Sequence, residues 1–575
     1  MNLKPYATFE EWNPDKGVAR AAELLYGHIE NLELYPGLMA ECTKPQMLGS
    51  GLCPGQTTGR GILDDAVALV RGDRFLSYDY NSNTLTNCGA AFLQEGAAGA
   101  YGGFLPRLLF DYLPGEFSGR STYALLPFYT PDAAATILKA NNKLEKYDLT
   151  RPLSGMDIVS VQTQIGCRSV FEDRTTFRTM FQAAIRQALG GHEFMIGWDD
   201  AERHDPRSEV LHKVFFEDGF EQHVSSFFST NIKALLEKNS LSFTKGRRSI
   251  DIVRDVTNIM PILWLADRFA IPLKTQDHPH GLLSVYDARM AIWVIFLYTS
   301  FNIIPRNEWV LREGASKAGA ALLPIFEAHI RARRLPGHGI IAWLAKSVLD
   351  ISPRAERIYD LLAETNIPIG DLAADCVGMI APVAGNLSMQ AARLIDLFLS
   401  PGYEQYRDRI IELAHMDPAA SERELQGFAL EGMRHSGAVT GLPRVATKDT
   451  TVLDGARGPV YVKAGQTVLV ATAKAAMDPE AFPDPEKLDP HRPFKDYTLY
   501  GHGMHYCFGA RLTSCTMAAT LREVFKLKNV RRAKGGLGKF ATVEHDFAGV
   551  SLRMYLDSGA KESPFPTSLT LEYDV

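Results

Sequence analysis

The chain has 575 residues, enough for more than one ordinary domain and for a large buried core. With 61 Lys and Arg against 67 Asp and Glu, the formal net charge of −6 argues against a nucleic-acid partner. Composition (46% hydrophobic, 22% charged) is that of a soluble globular protein, and seven cysteines without metal-cluster spacing point to reduced thiols in a cytosolic compartment.

In chain order, the N-terminal run from Met1 to Trp12 lacks an apolar core and does not read as a signal peptide. Thr130-Pro131-Asp132 opens a helix, and the turn-rich stretch from Tyr147 to Gly155 reads as a linker. Met156 to Val161 alternates like a strand, and Gly166 to Leu189 reads as helix. The apolar run from Met290 to Pro305 is too short to span a bilayer and is expected to be a buried helix. A long apolar-periodic helix is expected from Asp371, as N-cap, to about Ser400, stopped by Pro401-Gly402. Inside it Pro382 and Gly385 are unfavourable by about 3 and about 1 kcal/mol, predicting a kink and a groove against the backbone. Asn386 and Gln390 are four apart on one face of that helix, and their amides can donate to and accept from a peroxide without supplying protons. Hydrogen bonding inside a crowded core is the plainer reading of the same pair.

Glu431 and Arg434, at i and i+3, can pair on one helix face, although Glu-x-x-Arg is common on solvated surfaces. The segment from Phe482 to Pro493 is punctuated by proline and cannot form regular structure. Tyr500-Gly501-His502-Gly503-Met504-His505-Tyr506-Cys507-Phe508-Gly509 then sets one cysteine among glycines, with a helix expected from Ala510 to Leu521. Glycines let the backbone turn tightly and approach a flat cofactor, while the helix N-terminus favours a thiolate. This is what a cysteine ligand to haem iron needs, with His505 placed to reach a haem propionate.

The Tyr500–Gly509 run resembles the cysteine-ligand loop of the cytochrome P450 superfamily, with Tyr500 in place of the usual phenylalanine. The resemblance implies haem b with Cys507 as axial thiolate, and a structural brace of Glu431, Arg434 and Arg492. It also implies that Arg444 contacts a propionate. Asp200 to Arg207 is similar to the family's Asp-x-x-x-His segment, making His204 and Arg207 further candidates, but the usual arginine four residues after the histidine is Ser208. Monooxygenases of the superfamily carry Ala-Gly-x-Asp/Glu-Thr on the long helix; here Ala384-Gly385-Asn386-Leu387-Ser388 has leucine at the acid's position.

Leu25 to Leu38 and Ile62 to Phe75 resemble the C-terminal part of animal haem peroxidases and cyclooxygenases. That combination resembles the fungal fatty-acid dioxygenase–linoleate diol synthase, or psi-producing oxygenase, family. Ser249 to Asn258 and Ala266 to Leu273 are similar to its second domain. The expected fold is mainly α with minor β: a peroxidase-domain remnant at 1–130, a linker at 131–155 and a P450-like haem-thiolate domain at 156–575. No Tyr-Arg-x-His stretch precedes residue 25, so first-domain dioxygenase catalysis is not expected. The implied function is rearrangement of polyunsaturated fatty-acid hydroperoxides to diols, epoxy alcohols or allene oxide without a reductase, with Asn386 and Gln390 as catalytic amides. Alternatives are a reductase-dependent monooxygenase and a non-catalytic haem-binding relic. The expected partner is the hydroperoxide, with no transmembrane anchor; peripheral membrane contact and a homo-oligomer are left open. A cytoplasmic location, with lipid-body or membrane association as a variant, completes the expectation.

Overall fold

The structure, a computed structural model, describes residues 157–575 except 245, 276–277, 303–307, 336–350, 438–439 and 558–561, together with 7–12, 16–17, 19–20, 23 and 29. The chain divides into two compact units, Met1–Thr86 and Asn87–Val575. In the first, the short helix α1 (Phe9–Trp12) carries Glu10 and Glu11 in its opening turn, where the helix dipole favours them. The peroxidase-like segments, apart from Ile29, and the 131–155 linker lie outside the described residues.

Helices dominate the second unit. After β1 (Ile158–Val161), helix α2 (Gln164–Glu172) starts where the Thr163 hydroxyl accepts from Gly166 N. The helix expected to run from Gly166 to Leu189 breaks here. Asp173 accepts from the Thr175 hydroxyl at 2.7 Å and from Thr176 N at 3.0 Å, local bonds that compete with the helical ladder. The chain turns into β2 (Phe177–Arg178) before helix resumes as α3 (Gln182–Ala188). Asp200 caps α4 (Ala201–Phe215), which is followed by α5 (Phe220–Asn239), the β3–β4 hairpin (Leu241–Thr244, Arg247–Asp251) and α6 (Met260–Phe269). A capping box of Ser284 and Asp287 starts α7 (Val285–Ser300), five residues ahead of the apolar run expected at Met290. Next come α8 (Glu308–Arg334) and α9 (Pro353–Ala363).

The central element is α10 (Ile369–Phe398), 30 residues long and packed against α7, α8 and α6. It begins two residues before the expected start: Pro368 is the N-cap, and Asp371 sits in the first turn, bonded to His192 Nδ1 at 2.8 Å. Pro382 lies inside the unbroken helix. By length and composition α10 could cross a membrane, yet 72% of its apolar window is buried, as befits a core helix. Beyond it lie α11 (Glu404–His415) and α12 (Pro418–Ser436), the latter ended by Gly437 in the left-handed region at φ 60°.

Strands β5 (Leu442–Ala446), β6 (Thr450–Leu453), β7 (Pro459–Val462) and β8 (Thr467–Val470) follow. One four-stranded sheet has the order β1-β8-β5-β2, with β1 parallel to β8 and the other pairs antiparallel. Helix α13 (Ala510–Phe525) packs against α5, α11, α12 and α10, close to the range expected from the sequence. After it, β9 (Lys528–Arg532) and β10 (Thr570–Asp574) join the β3–β4 hairpin in a second four-stranded sheet. The largest hydrophobic core runs through α10, with Trp264, Phe228, Phe398, Phe525 and Phe565 among its fully or nearly fully buried side chains.

Candidate active site

The cysteine loop is closed by backbone bonds. Cys507 N donates to Tyr500 O at 2.8 Å, Tyr506 N to Gly503 O at 3.1 Å, and Ala510 N to Cys507 O at 3.2 Å, leading into α13. Gly501 and Gly503 take φ values of 75° and 68°, which explains glycine at both positions. Burial pushes the Cys507 thiol up, opposed by the Gly509 amide, yet the side chain is accessible to solvent. A metal cation bound there would reverse the direction of the shift, because a coordinated thiol ionises.

Three cation-capable side chains gather beside the loop. The His505 and His204 rings meet edge to face at 5.2 Å, and His505 Nε2 lies 3.3 Å from Asp199 Oδ1. Arg444 projects from β5 and is 4% exposed; among the described residues its side chain bonds Pro443 O at 2.9 Å, and its guanidinium lies 5.2 Å over Phe171. Burial pulls Arg444 down to about 10, opposed by Asp199. A buried guanidinium without a bonded carboxylate is costly, so this corner fits an added anion such as a haem propionate. Asp199 is a site residue that sequence reasoning missed. It also accepts from Thr179 N at 3.0 Å, which fixes its position.

Arg207, the weaker arginine candidate, turns elsewhere. Its Nη1 donates to Asp375 Oδ2 on α10 at 2.5 Å, and its guanidinium faces Trp198 at 5.5 Å. Asp375 is fully buried; burial raises it to about 7, opposed by Arg207. That bond puts residue 207 on the side of α4 facing α10, which sequence spacing alone did not show.

The brace is assembled. Glu431 and Arg434 are both fully buried, joined by bonds of 2.8 and 2.9 Å, and Arg492 Nε approaches Glu431 Oε2 at 3.5 Å. The Tyr497 hydroxyl donates to Glu431 Oε1 at 2.6 Å and Asp489 N to Oε2 at 2.9 Å. Burial alone would raise Glu431; bonds from Arg434, Tyr497 and the Asp489 amide outweigh it and hold the carboxyl below its ordinary 4.5. Tyr497 is the second residue missed from sequence. Arg434 Nη1 also donates to Pro485 O at 2.6 Å, so the brace ties the proline-punctuated segment to α12.

On α10, Asn386 Oδ1 and Gln390 Oε1 are buried without hydrogen-bond partners among the described residues. Leu387 is 2% exposed. The Ser388 hydroxyl donates to Asn258 Oδ1 at 2.6 Å and lies 3.2 Å from Thr257 Oγ1, so it is engaged away from the amide pair. The groove expected at Gly385 is filled by protein: a Cβ there would meet Phe565 Cζ at 2.7 Å and Trp293 Nε1 at 3.1 Å.

The family model described as Cytochrome P450 matches residues 425–530, which hold Glu431, Arg434, Arg444, Arg492 and Cys507. Substrate-free CYP109E1 from Bacillus megaterium superposes with TM-score 0.53 at 17% identity, covering 73% of this chain and 94% of that one. Cytochrome P450 Eryk from S. erythraea gives TM-score 0.52 at 15% identity, over 76% and 96%. These likenesses establish the fold. A bifunctional dioxygenase–epoxy alcohol synthase of Fusarium oxysporum is 33% identical over 100% of this chain and 45% of its own length. Psi-producing oxygenase A of Emericella nidulans is 30% identical over 100% and 53%, and 7,8-linoleate diol synthase of Pyricularia oryzae 27% over 94% and 53%. The chain thus spans about half the length of the curated relatives it matches. Fold and family model imply haem iron with an axial cysteine thiolate, for which Cys507 and the buried Arg444 corner are suited. Over its length the chain is therefore similar to fungal dioxygenase–epoxy alcohol synthases, psi-producing oxygenases and linoleate diol synthases, and it carries the cytochrome P450 haem-thiolate fold.

Proposed function

We propose that the chain rearranges a polyunsaturated fatty-acid hydroperoxide to a diol, epoxy alcohol or allene oxide, taking its oxidant from the substrate and needing no reductase. The observation that carries this reading is the character of α10 at 386–390: unpartnered buried amide oxygens, leucine in place of an acid, and a serine hydroxyl already engaged. An acid–alcohol pair able to relay protons to dioxygen is missing from those positions. The relatives named epoxy alcohol synthase and linoleate diol synthase support the same substrate class.

Thiolate-ligated haem iron supplies an electron push that favours heterolysis of an O–O bond. The protein's own part is placement. Asn386 and Gln390 hold the hydroperoxide through their amides: the unpartnered oxygens accept from its O–H, and the N–H groups can donate to its oxygens without giving up a proton. Arg444, His204 and His505 hold the propionates, and the Glu431 brace keeps the proximal segment rigid. Phe565 and Trp293 close the backbone notch at Gly385 and keep water from it.

The test is purified haem-loaded protein with the 8-hydroperoxide of linoleic acid and no NADPH, wild type against Asn386→Leu. Wild type should convert it. The variant should retain haem but lose roughly 10²–10³ in rate, the usual cost of one preorganised donor, or shift toward homolytic products. Activity only with NADPH and a reductase would favour a monooxygenase, and haem binding with no turnover would favour a relic. A variant with wild-type rate and products would reduce the amide to packing.

A further inference from the structure

Arg289, on α7 one turn before Trp293, has no ion-pair partner among the described residues. Among those residues its Nη1 is buried with no hydrogen-bond partner, and Nη2 reaches only Met290 Sδ at 3.9 Å, a weak acceptor. The guanidinium lies 4.2 Å over the Trp293 ring and 5.8 Å from Tyr286, so π-faces are its electrostatic company. Burial pulls its pKa below the usual arginine value. An arginine kept partly desolvated without a carboxylate is arranged for an anion that arrives from outside the chain.

Trp293 links this cation to α10. Its ring stacks on Phe565 at 5.2 Å and 23°, and its own Nε1 is buried and unpartnered beside Gly385. Asn386, the amide assigned to the peroxide, is the next residue along α10. Phe565 also stacks on Phe296 at 5.9 Å and meets Phe301 edge to face at 5.2 Å, extending the aromatic cluster from Trp293. Beyond Phe301, both side-chain amide atoms of Asn302 are buried without partners. A cation at one end, an aromatic cluster and a polar amide at the other match an amphiphile with one anionic head.

We propose that Arg289 binds the carboxylate of a long-chain fatty acid, whose hydrocarbon runs along Trp293 and Phe565 toward Asn386. The choice of a fatty acid rests on the reading under Proposed function; the anion site rests on Arg289 itself. The guanidinium can take the carboxylate through two parallel N–H donors, replacing the weak Met290 sulfur contact. Such a site fixes which end of the chain enters first and discriminates free acids from esters.

The experiment is equilibrium titration of haem-loaded protein with linoleic acid and with methyl linoleate, read from the haem absorption band. Wild type should prefer the acid. Arg289→Gln should weaken the acid by at least about tenfold, or about 1.4 kcal/mol, with the ester unchanged, and Arg289→Lys should recover part of the loss. Equal weakening of acid and ester would mark Arg289 as packing for Trp293 and overturn the proposal. Unchanged acid affinity in Arg289→Gln, or wild type that binds no linoleic acid, would overturn it too. Because turnover is not read, acid-selective binding through Arg289 stands even where the hydroperoxide is left unreacted, and that second result sinks only the proposed reaction.

Discussion

Removing the Glu431 carboxylate should uncouple the cysteine-ligand side of the fold from α12. Four bonds converge on this one group: Arg434 at 2.8 and 2.9 Å, Tyr497 at 2.6 Å and the Asp489 amide at 2.9 Å, with Arg492 nearby at 3.5 Å. Breaking a buried pair by deleting one partner costs about 3–5 kcal/mol. Arg434 keeps its bonds to the carbonyls of Pro485, Lys487 and Ala476, which argues for the lower end, about 3 kcal/mol. Against a typical stability of about 5–15 kcal/mol, that loss is enough to lower haem occupancy and the denaturation midpoint together. The assay is the haem-to-protein ratio and a urea melt of Glu431→Ala. Glu424→Ala serves as control, because its pair with Arg409 at 2.8 Å is partly exposed and worth less than about 1 kcal/mol. The acid limb gives a second reading. Glu431 is held below 4.5, so an unfolded chain takes up its proton first; the stability it contributes is complete above pH 4.5 and is lost as pH falls through the folded value. A soluble Glu431→Ala protein with full haem and the control's midpoint would refute the buried-brace reasoning.

Cys507→Ser should abolish the ferrous carbonyl band diagnostic of thiolate ligation, whereas Cys515→Ser, whose buried sulfur accepts from Gln426 at 3.6 Å, should keep it; an unchanged spectrum in the first variant would remove Cys507 as ligand. Asp375 makes a pH-dependent difference of the opposite sign to Glu431. Burial raises it from 3.8 to about 7, so the unfolded chain ionises it first, and its contribution to stability falls as pH rises between those values. The stability gap between wild type and Asp375→Asn, measured by urea melts from pH 4.5 to 7.5, should therefore move against wild type as pH increases; a constant gap would show that the Arg207 bond dominates.

What the sequence disclosed was chemistry carried by neighbours along the chain. The Tyr500–Gly509 turn needs positive φ at Gly501 and Gly503, and the Glu431–Arg434 pair needs only the i, i+3 geometry of α12, so both follow from adjacent letters. Contacts across the chain were not readable. Arg207 and Asp375 belong to separate helices, and nothing near residue 207 says that a carboxylate on α10 will claim it. Asp199 left a faint trace: of the Asp199-Asp200 pair, a single residue is needed to cap α4, and Asp200 fills that role, leaving Asp199 free to reach His505. Tyr497 left none, since an aromatic residue after a proline-rich stretch has many uses. The helix expected across Gly166–Leu189 failed for a local reason, because the Asp173 side chain offers Thr175 and Thr176 bonds that a helix would forgo.

The face geometry of α10 says why its chemistry should differ from that of an acid–alcohol relay. Residues 386 and 390 lie four apart and share a face, whereas 388 is two residues from either and points to the far side. The structure follows that rule: Ser388 bonds to Asn258 while the two amide oxygens remain unpartnered. An acid placed at 387 would occupy a position now 2% exposed, where burial favours the neutral carboxyl. It would also stand beside an alcohol whose hydrogen bond already points elsewhere. Restoring a relay would thus require an acid with a donor to ionise it and the release of Ser388 from Asn258. No single substitution supplies both, so the amide face is a property of the packing around α10 as much as of the residues on it.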